Sequence, residues 1–221
     1  MAEERVPRRL AAILAADVVG YSRMMGRDEA GTLARLKSLR AEFLHPKIAE
    51  YGGRIVKTTG DGTLIEFGSA VDAVSHAVDV QRGMAERNAD LPEEEQVWLR
   101  LGINVGDIII DGDDIFGDGV NVAARLEALA DPGGFCISAR VRDYIGDRLD
   151  FAVDDLGAKS LKNIAEPIHT YRVRIDGDAR PVDEEPSGSP PIPVSHRRGR
   201  SNPSLCTSTS TWTGRSRWTT P

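Results

Sequence analysis

Two aspartates stand at sharp backbone turns beside strand-like runs. Asp17 follows the apolar residues 11–16, and Asp61 lies in the turn 59–62, just before the strand-like residues 64–67. If the two strands are neighbours, both carboxylates reach one edge of a sheet, where they offer the hard oxygen ligands that Mg²⁺ or Mn²⁺ prefers. Metal ions held there could activate a hydroxyl group and neutralise a leaving phosphate. Asp-Gly is also the strongest short hairpin signal, so Asp61 by itself is equally a simple turn residue.

A second group of polar residues surrounds a predicted helix start near Gly119. Asn121 and Arg125 are four residues apart and share one face of that helix. An amide with a guanidinium group one turn below it suits ribose and phosphate, because arginine matches phosphate geometry with paired donors. An exposed surface pair would show the same spacing. Asp114, taken alone, would be a solvated carboxylate in a turn.

Strand-like and helical patterns alternate along the first 176 residues. Strands are predicted at residues 9–18, 54–59, 63–67, 97–105, 107–110 and 135–137, and near residues 151–153 and 170–174. Helices are predicted at residues 28–50, with a kink at Pro46, at residues 69–88 behind a Ser69 cap, at about 118–130, and after a Ser138 cap. The order is βαββαβ with additional C-terminal strands and helices. We therefore expect an α+β fold with a ferredoxin-like core, in which helices cover one face of an antiparallel or mixed sheet.

The charge distribution argues against one class of partner. The 221 residues are enough for one domain with a sizeable core and a tail. From Gly177 onward the chain holds six arginines and four acidic residues, a net charge of +2, whereas the whole chain carries −6, so the first 176 residues carry −8. An acidic body does not favour general nucleic-acid binding, which requires a basic face. A nucleotide remains a possible ligand, because divalent metals and a few fixed cations suffice to hold it.

Three regions are predicted: an N-terminal extension at residues 1–8, a folded domain at residues 9–176, and a low-complexity, disordered tail at residues 177–221. The tail is rich in Gly, Pro, Ser and Thr and cannot bury a core, and parts of it also read like an out-of-frame end. The two scattered cysteines do not suggest a disulfide framework. No apolar run is long enough for a membrane helix, and the N-terminus lacks a secretory segment. We expect a soluble, cytoplasmic protein without a membrane segment.

Several separate motifs now combine into a family resemblance. Asp17 in AADVVGYS, Lys57 in VKTTGDG, Asp114 in DIFGDGVNVAARLE and Lys162 in SLKNI together resemble the class III nucleotidyl cyclase catalytic domain. The resemblance covers roughly residues 9–174. The motifs occur in the right order at compatible distances, which makes the combination far more specific than a lone Gly-Asp-Gly.

The resemblance implies a metal site and a dimer. Asp17 and Asp61 match the two metal-binding aspartates, and the carbonyl group of Val18 is a further expected ligand, for two Mg²⁺ or Mn²⁺ ions per site. Catalytic domains of this family work as head-to-tail dimers with sites at the interface. One subunit would therefore supply these metal ligands. Asp107 follows Gly106 where some members carry an arginine near the phosphates, which is a departure from the pattern.

The partner subunit would supply the residues that contact the nucleotide. By resemblance, Lys57 and Asp114 match the pair that selects the base, and Asn121 matches the residue that positions the ribose. Arg125 matches the arginine that stabilises the transition state, and Lys162 matches the lysine that contacts the terminal phosphates. Because of the departure at residue 107, phosphate binding would depend more heavily on Lys162 and the metals.

The chemistry of the base-selecting pair favours adenine. Adenine presents an acceptor at N1 and an amino donor at N6, whereas guanine presents a donor at N1 and an acceptor at O6. Lys57 has only donors and the Asp114 carboxylate has only acceptors, so they match adenine at both positions. Guanine would leave both groups mismatched, and a buried unpaired polar group costs about 1–3 kcal/mol. ATP is therefore the expected substrate.

Together these observations predict an adenylate cyclase that acts in intracellular signalling. It would convert ATP into 3′,5′-cyclic AMP and pyrophosphate by two-metal-ion catalysis in a homodimer. A guanylate cyclase is the nearest alternative and is disfavoured by Lys57 and Asp114. A catalytically silent nucleotide-binding or dimerisation module is the alternative from another class. It would require the loss of a metal or transition-state residue, and none of these residues is missing from the sequence.

Overall fold

The computed structural model describes residues 7–146, 148 and 152–175. These residues belong to one compact unit. The predicted tail at residues 177–221 and residues 1–6 of the predicted extension lie outside the described residues.

The element order confirms the predicted α+β class. The strands are β1 (Arg8–Val18), β2 (Arg54–Thr59), β3 (Gly62–Phe67), β4 (Leu99–Asp111), β5 (Asp114–Phe116), β6 (Phe135–Ser138), β7 (Ala152–Lys159) and β8 (Ile168–Arg174). The helices are α1 (Tyr21–Arg27), α2 (Glu29–Leu39), α3 (His45–Glu50), α4 (Ala70–Asn88), α5 (Asp118–Leu129) and α6 (Ala139–Ile145), with a π-helical turn at Arg40–Leu44 and a 3₁₀ turn at Glu93–Glu95. Within the described residues, no helix is both long and apolar enough to cross a membrane.

The strands form one mixed sheet in the order β2-β3-β1-β4-β6-β8-β7, and β5 pairs with the far end of β4. Neighbouring strands are antiparallel except β4 and β6, which are parallel. The predicted break at Gly106 is wrong, because β4 runs without interruption and Gly106 pairs with Ala11 of β1. The missing side chain serves packing instead. A Cβ atom at Gly106 would lie 3.1 Å from the Cα atom of Gly119 on α5.

Helices cover both faces of the sheet, so the expectation of a single covered face is wrong. Ala12 and Leu14 of β1 pack in the same cluster as the buried face of α4. Ile13 and Ala15, which point to the other face, pack with Ala123 of α5. A strand buried on both sides is continuously apolar rather than alternating, and residues 11–15 of β1 have that character.

The segment between β1 and β2 confirms the predicted helix with an irregularity near Pro46, because residues 29–50 are helical without a gap. An additional short helix, α1, precedes it, and α2 begins after Asp28, whose side chain accepts a hydrogen bond from the backbone of Gly31. The irregularity is the π-helical turn just before Pro46, where the His45 N–H donates to the Arg40 carbonyl. Proline lacks the N–H group that would donate to the carbonyl four residues earlier, so Pro46 explains why the α-helical hydrogen bonding is irregular in the turn just before it.

Candidate active site

The pairing of β1 with β3 brings the two aspartates to one edge of the sheet. Ala16 pairs with Thr63, so Asp17 at the end of β1 and Asp61 in the β2–β3 turn lie at the same end of these adjacent strands. Val18 is the last residue of β1 and is buried. The chain then turns through Gly20, whose positive φ of 69° favours glycine, into α1.

The turn that carries Asp61 is held from the helical side. The Arg40 Nη2 atom donates to the Gly60 carbonyl oxygen over 2.6 Å. Gly60 itself has a φ of 57°, a left-handed conformation that a side chain would strain. The π-helical turn therefore has a local use, because its first residue anchors the loop next to a candidate metal ligand.

Two further charged residues surround Asp17, and neither was identified from the sequence. Arg100 of β4 pairs with Asp17 across the sheet, and its Nη2 atom lies 2.8 Å from the Asp17 Oδ2 atom. The Nε atom of the same guanidinium group lies 3.4 Å from Glu127 Oε1 on α5. The sequence did contain a signal for this contact, because Arg100 is a charged residue within the apolar run 97–105, and a charge on a central strand needs a partner.

The charges at this edge are unbalanced. Burial, helped by the Asp17 and Asp61 carboxylates and opposed by Arg100, raises the pKa of Glu127 to about 7. Asp17 and Glu127 thus share the Arg100 guanidinium group, and the Asp61 carboxylate adds further negative charge beside them. A divalent cation bound by Asp17 and Asp61 would relieve this repulsion, so the donor set fits Mg²⁺ or Mn²⁺.

The protein supplies only part of a coordination sphere. Across residues 7–146, 148 and 152–175, no group of three or more His, Cys, Asp or Glu side chains is arranged to hold a metal ion. A cation at this edge would rely on the two aspartates, a backbone carbonyl and oxygen atoms of water or phosphate. Mg²⁺ commonly binds in this way, through one or two carboxylates and the phosphates of a substrate.

The structure brings Lys57 and Asp114 together, as the sequence predicts. Lys57 lies on β2 and Asp114 begins β5, and the Lys57 Nζ atom lies 3.2 Å from Asp114 Oδ2. The other oxygen, Oδ1, accepts a hydrogen bond from the Ile115 backbone N–H at 2.9 Å. This backbone hydrogen bond and then Lys57 lower the pKa of Asp114, so the carboxylate is ionised and accepts hydrogen bonds only.

Helix α5 carries Asn121 and Arg125 on a partly exposed face, while Val122 and Leu126 are buried beneath it. The Arg125 Nε atom donates to the carbonyl oxygen of Lys162 at 3.3 Å, which joins the helix to the turn before β8. The backbone of Lys162 thus lies beside Arg125, and Asn121 precedes Arg125 by about one helical turn. Their roles remain predictions.

The close approach of α5 to the sheet depends on a glycine. A Cβ atom at Gly102 of β4 would overlap the backbone nitrogen of Glu127 and the carbonyl oxygen of Ala123. The helix therefore sits directly on the β4 backbone at this point. Any side chain at residue 102 would displace the element that carries Asn121 and Arg125.

The predicted metal ligands and the predicted nucleotide ligands form separate networks. Among the described residues, the contacts of Asp17 lead to Arg100 and Glu127, whereas those of Lys57 lead to Asp114. No hydrogen bond or ion pair described in this chain joins Asp17 or Asp61 to the second set.

Comparison with known proteins assigns a family to this arrangement. The model of the adenylate and guanylate cyclase catalytic domain matches residues 6–174. A putative adenylate cyclase of Rhizobium meliloti is 53% identical over 171 residues, which cover 77% of this chain and 29% of that protein. An adenylate cyclase of Streptomyces coelicolor is 37% identical over 128 residues, which cover 58% of this chain and 32% of that protein. The chain thus spans about a third of the length of these relatives.

Solved structures support the same assignment. A protein of Silicibacter pomeroyi described as an adenylate/guanylate cyclase/hydrolase is 48% identical, with a TM-score of 0.73, over 77% of this chain and 99% of that one. The adenylyl cyclase CyaB of P. aeruginosa is 25% identical, with a TM-score of 0.66, over 79% of this chain and 97% of that one.

Proposed function

Because the chain belongs to the adenylate and guanylate cyclase catalytic domain family, we propose that it is an adenylate cyclase that converts ATP into 3′,5′-cyclic AMP and pyrophosphate. The relatives named as adenylate cyclases support the choice of ATP. Such a product would give the protein a role in intracellular signalling. An ATP substrate and the free, buried thiol of Cys136 fit the expected cytoplasmic location.

The observation that carries the choice of base is the Lys57–Asp114 pair. Lys57 offers a donor to adenine N1, and the ionised Asp114 accepts from the N6 amino group. GTP would present a donor to the lysine and an acceptor to the carboxylate. Each mismatch costs about 1–3 kcal/mol when the groups are buried by the base, so ATP is the better substrate.

The remaining residues hold the triphosphate and the ribose. Asp17, Asp61 and the Val18 carbonyl would hold two Mg²⁺ or Mn²⁺ ions, which when bound supply Lewis acidity for the 3′-hydroxyl and charge neutralisation for the phosphates. Asn121 would position the ribose, and Lys162 would contact the terminal phosphates. The 3′-oxygen would bond to the α-phosphorus as its proton passes to water, and the bond from the α-phosphorus to the oxygen that bridges to the β-phosphate would break, so that pyrophosphate leaves. Arg125 would stabilise the charge that develops during this exchange.

The separation of the two networks supports a shared site. In a head-to-tail homodimer, Asp17 and Asp61 of one subunit would face Lys57, Asp114, Asn121, Arg125 and Lys162 of the other. A symmetric pair of this kind contains two equivalent sites, each built from both chains. Neither site would be complete in a monomer.

Reversing the chemistry of the base-selecting pair tests the assigned substrate. The double variant Lys57→Glu, Asp114→Cys partly exchanges donors for acceptors. We expect the ATP to GTP ratio of kcat/KM to fall at least tenfold, since about 1.4 kcal/mol corresponds to a factor of ten. Turnover of GTP itself need rise only weakly, because efficient use of GTP requires more than loss of the contacts that favour adenine. An unchanged ratio would contradict the roles of Lys57 and Asp114.

A further inference from the structure

A buried carboxylate lies at the centre of an ion-pair network that reaches the turn next to Asp114, a member of the base-selecting pair. Glu66 of β3 is only 3% exposed and is held between Arg9 of β1 and Arg54 of β2. The Arg54 Nε and Nη2 atoms lie 3.2 and 2.8 Å from Glu66 Oε2, while the Arg9 guanidinium group pairs with Oε1. Burying a carboxylate this deeply is costly without partners, and the two arginines supply those partners.

Arg54 reaches beyond this ion pair to a functional turn. Its Nη1 atom donates to the Asp113 carbonyl oxygen at 2.9 Å, and Asp113 directly precedes Asp114. One planar guanidinium group therefore clamps the β4–β5 turn to β3. Lys57 lies three residues after Arg54 on the same strand, beyond a β-bulge. This hydrogen bond therefore fixes the backbone next to Asp114 relative to β2, the strand that carries Lys57.

Backbone pairing with β4 and the buried Ile115 hold β5 in place, but the side chains of the base-selecting pair are less constrained. β5 contains three residues, and the turn before it includes Gly112 with a φ of 59°. Asp114 is about one-third exposed and Lys57 more than half exposed, so packing holds neither side chain tightly. The Arg54 side chain is itself 42% exposed and would turn toward water if Glu66 did not hold it.

We propose that Glu66 and Arg54 are positioning residues that determine base preference by holding the Asp114 carboxylate in register with Lys57. Hydrogen bonds to a base edge weaken steeply when their angle or distance changes. A turn released from Arg54 lets Asp114 adopt orientations that no longer favour adenine N6. The inference rests on the proposed adenylate cyclase function and on the roles given to Lys57 and Asp114.

The matched variants are Arg54→Lys and Arg9→Gln. Lysine retains a positive charge beside Glu66 but lacks the fork that reaches both Glu66 and the Asp113 carbonyl. Arg9→Gln weakens the same buried ion pair from the other side and leaves the contact between Arg54 and the turn intact. The measured quantities are the ATP to GTP ratio of kcat/KM, the separate kcat and KM for ATP, and Tm.

We expect Arg54→Lys to lower the ATP to GTP ratio about tenfold, the size of one lost hydrogen-bond discrimination, with KM for ATP rising more than kcat falls. Glu66→Gln should shift the ratio in the same direction with a larger drop in Tm. Arg9→Gln should lower Tm and leave the ratio unchanged. Hydrogen exchange of the amides at residues 111–115, measured without nucleotide, should quicken in Arg54→Lys and not in Arg9→Gln.

The outcomes separate this proposal from the one on which it rests. A wild-type protein without ATP preference, or an Asp114→Ala variant that keeps the preference, overturns both the base-selecting pair and its support. If Asp114→Ala abolishes the preference while Arg54→Lys retains it, the positioning role alone is wrong. An equal loss of preference in Arg54→Lys and Arg9→Gln also overturns the positioning role, because it would show a general effect of the ion pair on the fold.

Discussion

His76 should make the protein sensitive to acid. It lies on α4 and is 2% exposed, and neither ring nitrogen has a hydrogen-bond partner among the described residues. Its ring packs against Phe67 and Tyr51, with centroids 5.1 and 6.0 Å away. Burial lowers the pKa of His76 from 6.5 to about 4, with Asp79 opposing the shift and Lys47 adding slightly to it.

The sign and size of the effect follow from this pKa. The unfolded chain binds a proton at this histidine below pH 6.5, whereas the folded protein does so only below about pH 4. The contribution to the free energy of unfolding is therefore fully present above pH 6.5 and is lost as the pH falls through 4. A shift of about 2.5 pKa units at 1.36 kcal/mol each gives a loss of about 3 kcal/mol.

The variant His76→Phe removes the titration and keeps an aromatic ring in the same apolar surroundings. Urea unfolding of wild type and variant across the acid range would give the difference in their free energies of unfolding. We expect that difference to move by up to about 3 kcal/mol in favour of the variant between pH 7 and pH 4. Any overpacking by the larger ring offsets the curves equally at every pH, so the pH dependence isolates the proton.

The exposed His45 of α3 provides the control. His45→Gln should retain the acid sensitivity of wild type. If wild type and His76→Phe lose stability in parallel on acidification, burial of a neutral His76 does not explain acid sensitivity, and the reasoning is refuted.

Three further predictions concern the active site and its assembly. Asp61→Ala should abolish turnover and leave the free energy of unfolding within about 0.5 kcal/mol of the wild-type value, because a partly exposed turn carboxylate contributes little to folding; retained activity in the purified variant would oppose a metal role. Gly102→Ala should destabilise the fold by about 1–3 kcal/mol and reduce kcat, because its Cβ atom would push α5 off the sheet; normal unfolding and kinetics would contradict that close packing. Asp17→Ala and Arg125→Ala should each be inactive alone, and their equal mixture should recover roughly a quarter of wild-type activity, because about half of the dimers form with one intact site. A mixture that remains inactive after demonstrated subunit exchange would disprove the shared site.

Local signals in the sequence predicted where two helices begin and where one turn lies. Ser69 and Ser138 accept hydrogen bonds from the third residue after them, as expected for caps. The β2–β3 turn also lies where Gly60 and Gly62 flank Asp61. These features depend on neighbours within a few residues, so the chemistry of each segment determines them without knowledge of the fold.

Contacts between distant segments could not be predicted in this way. Arg100 and Asp17 are separated by 83 positions, and their pairing depends on the register of β1 against β4. Gly106 looked like a strand break because a glycine either weakens a strand or permits close packing, and only the position of α5 decides between them. The network of Glu66 and Arg54 joins three strands and a turn, so no single motif marks it.

Identification of the product formed by the purified protein tests the central claim most directly. The protein is incubated with Mn²⁺ and either ATP or GTP, and the nucleotide and phosphate products are identified and quantified. We predict 3′,5′-cyclic AMP and pyrophosphate in equal amounts, faster turnover of ATP than of GTP, and no product from Asp61→Ala. Preferential formation of cyclic GMP, release of ADP and inorganic phosphate, or no cyclic nucleotide from folded, dimeric protein would contradict the account.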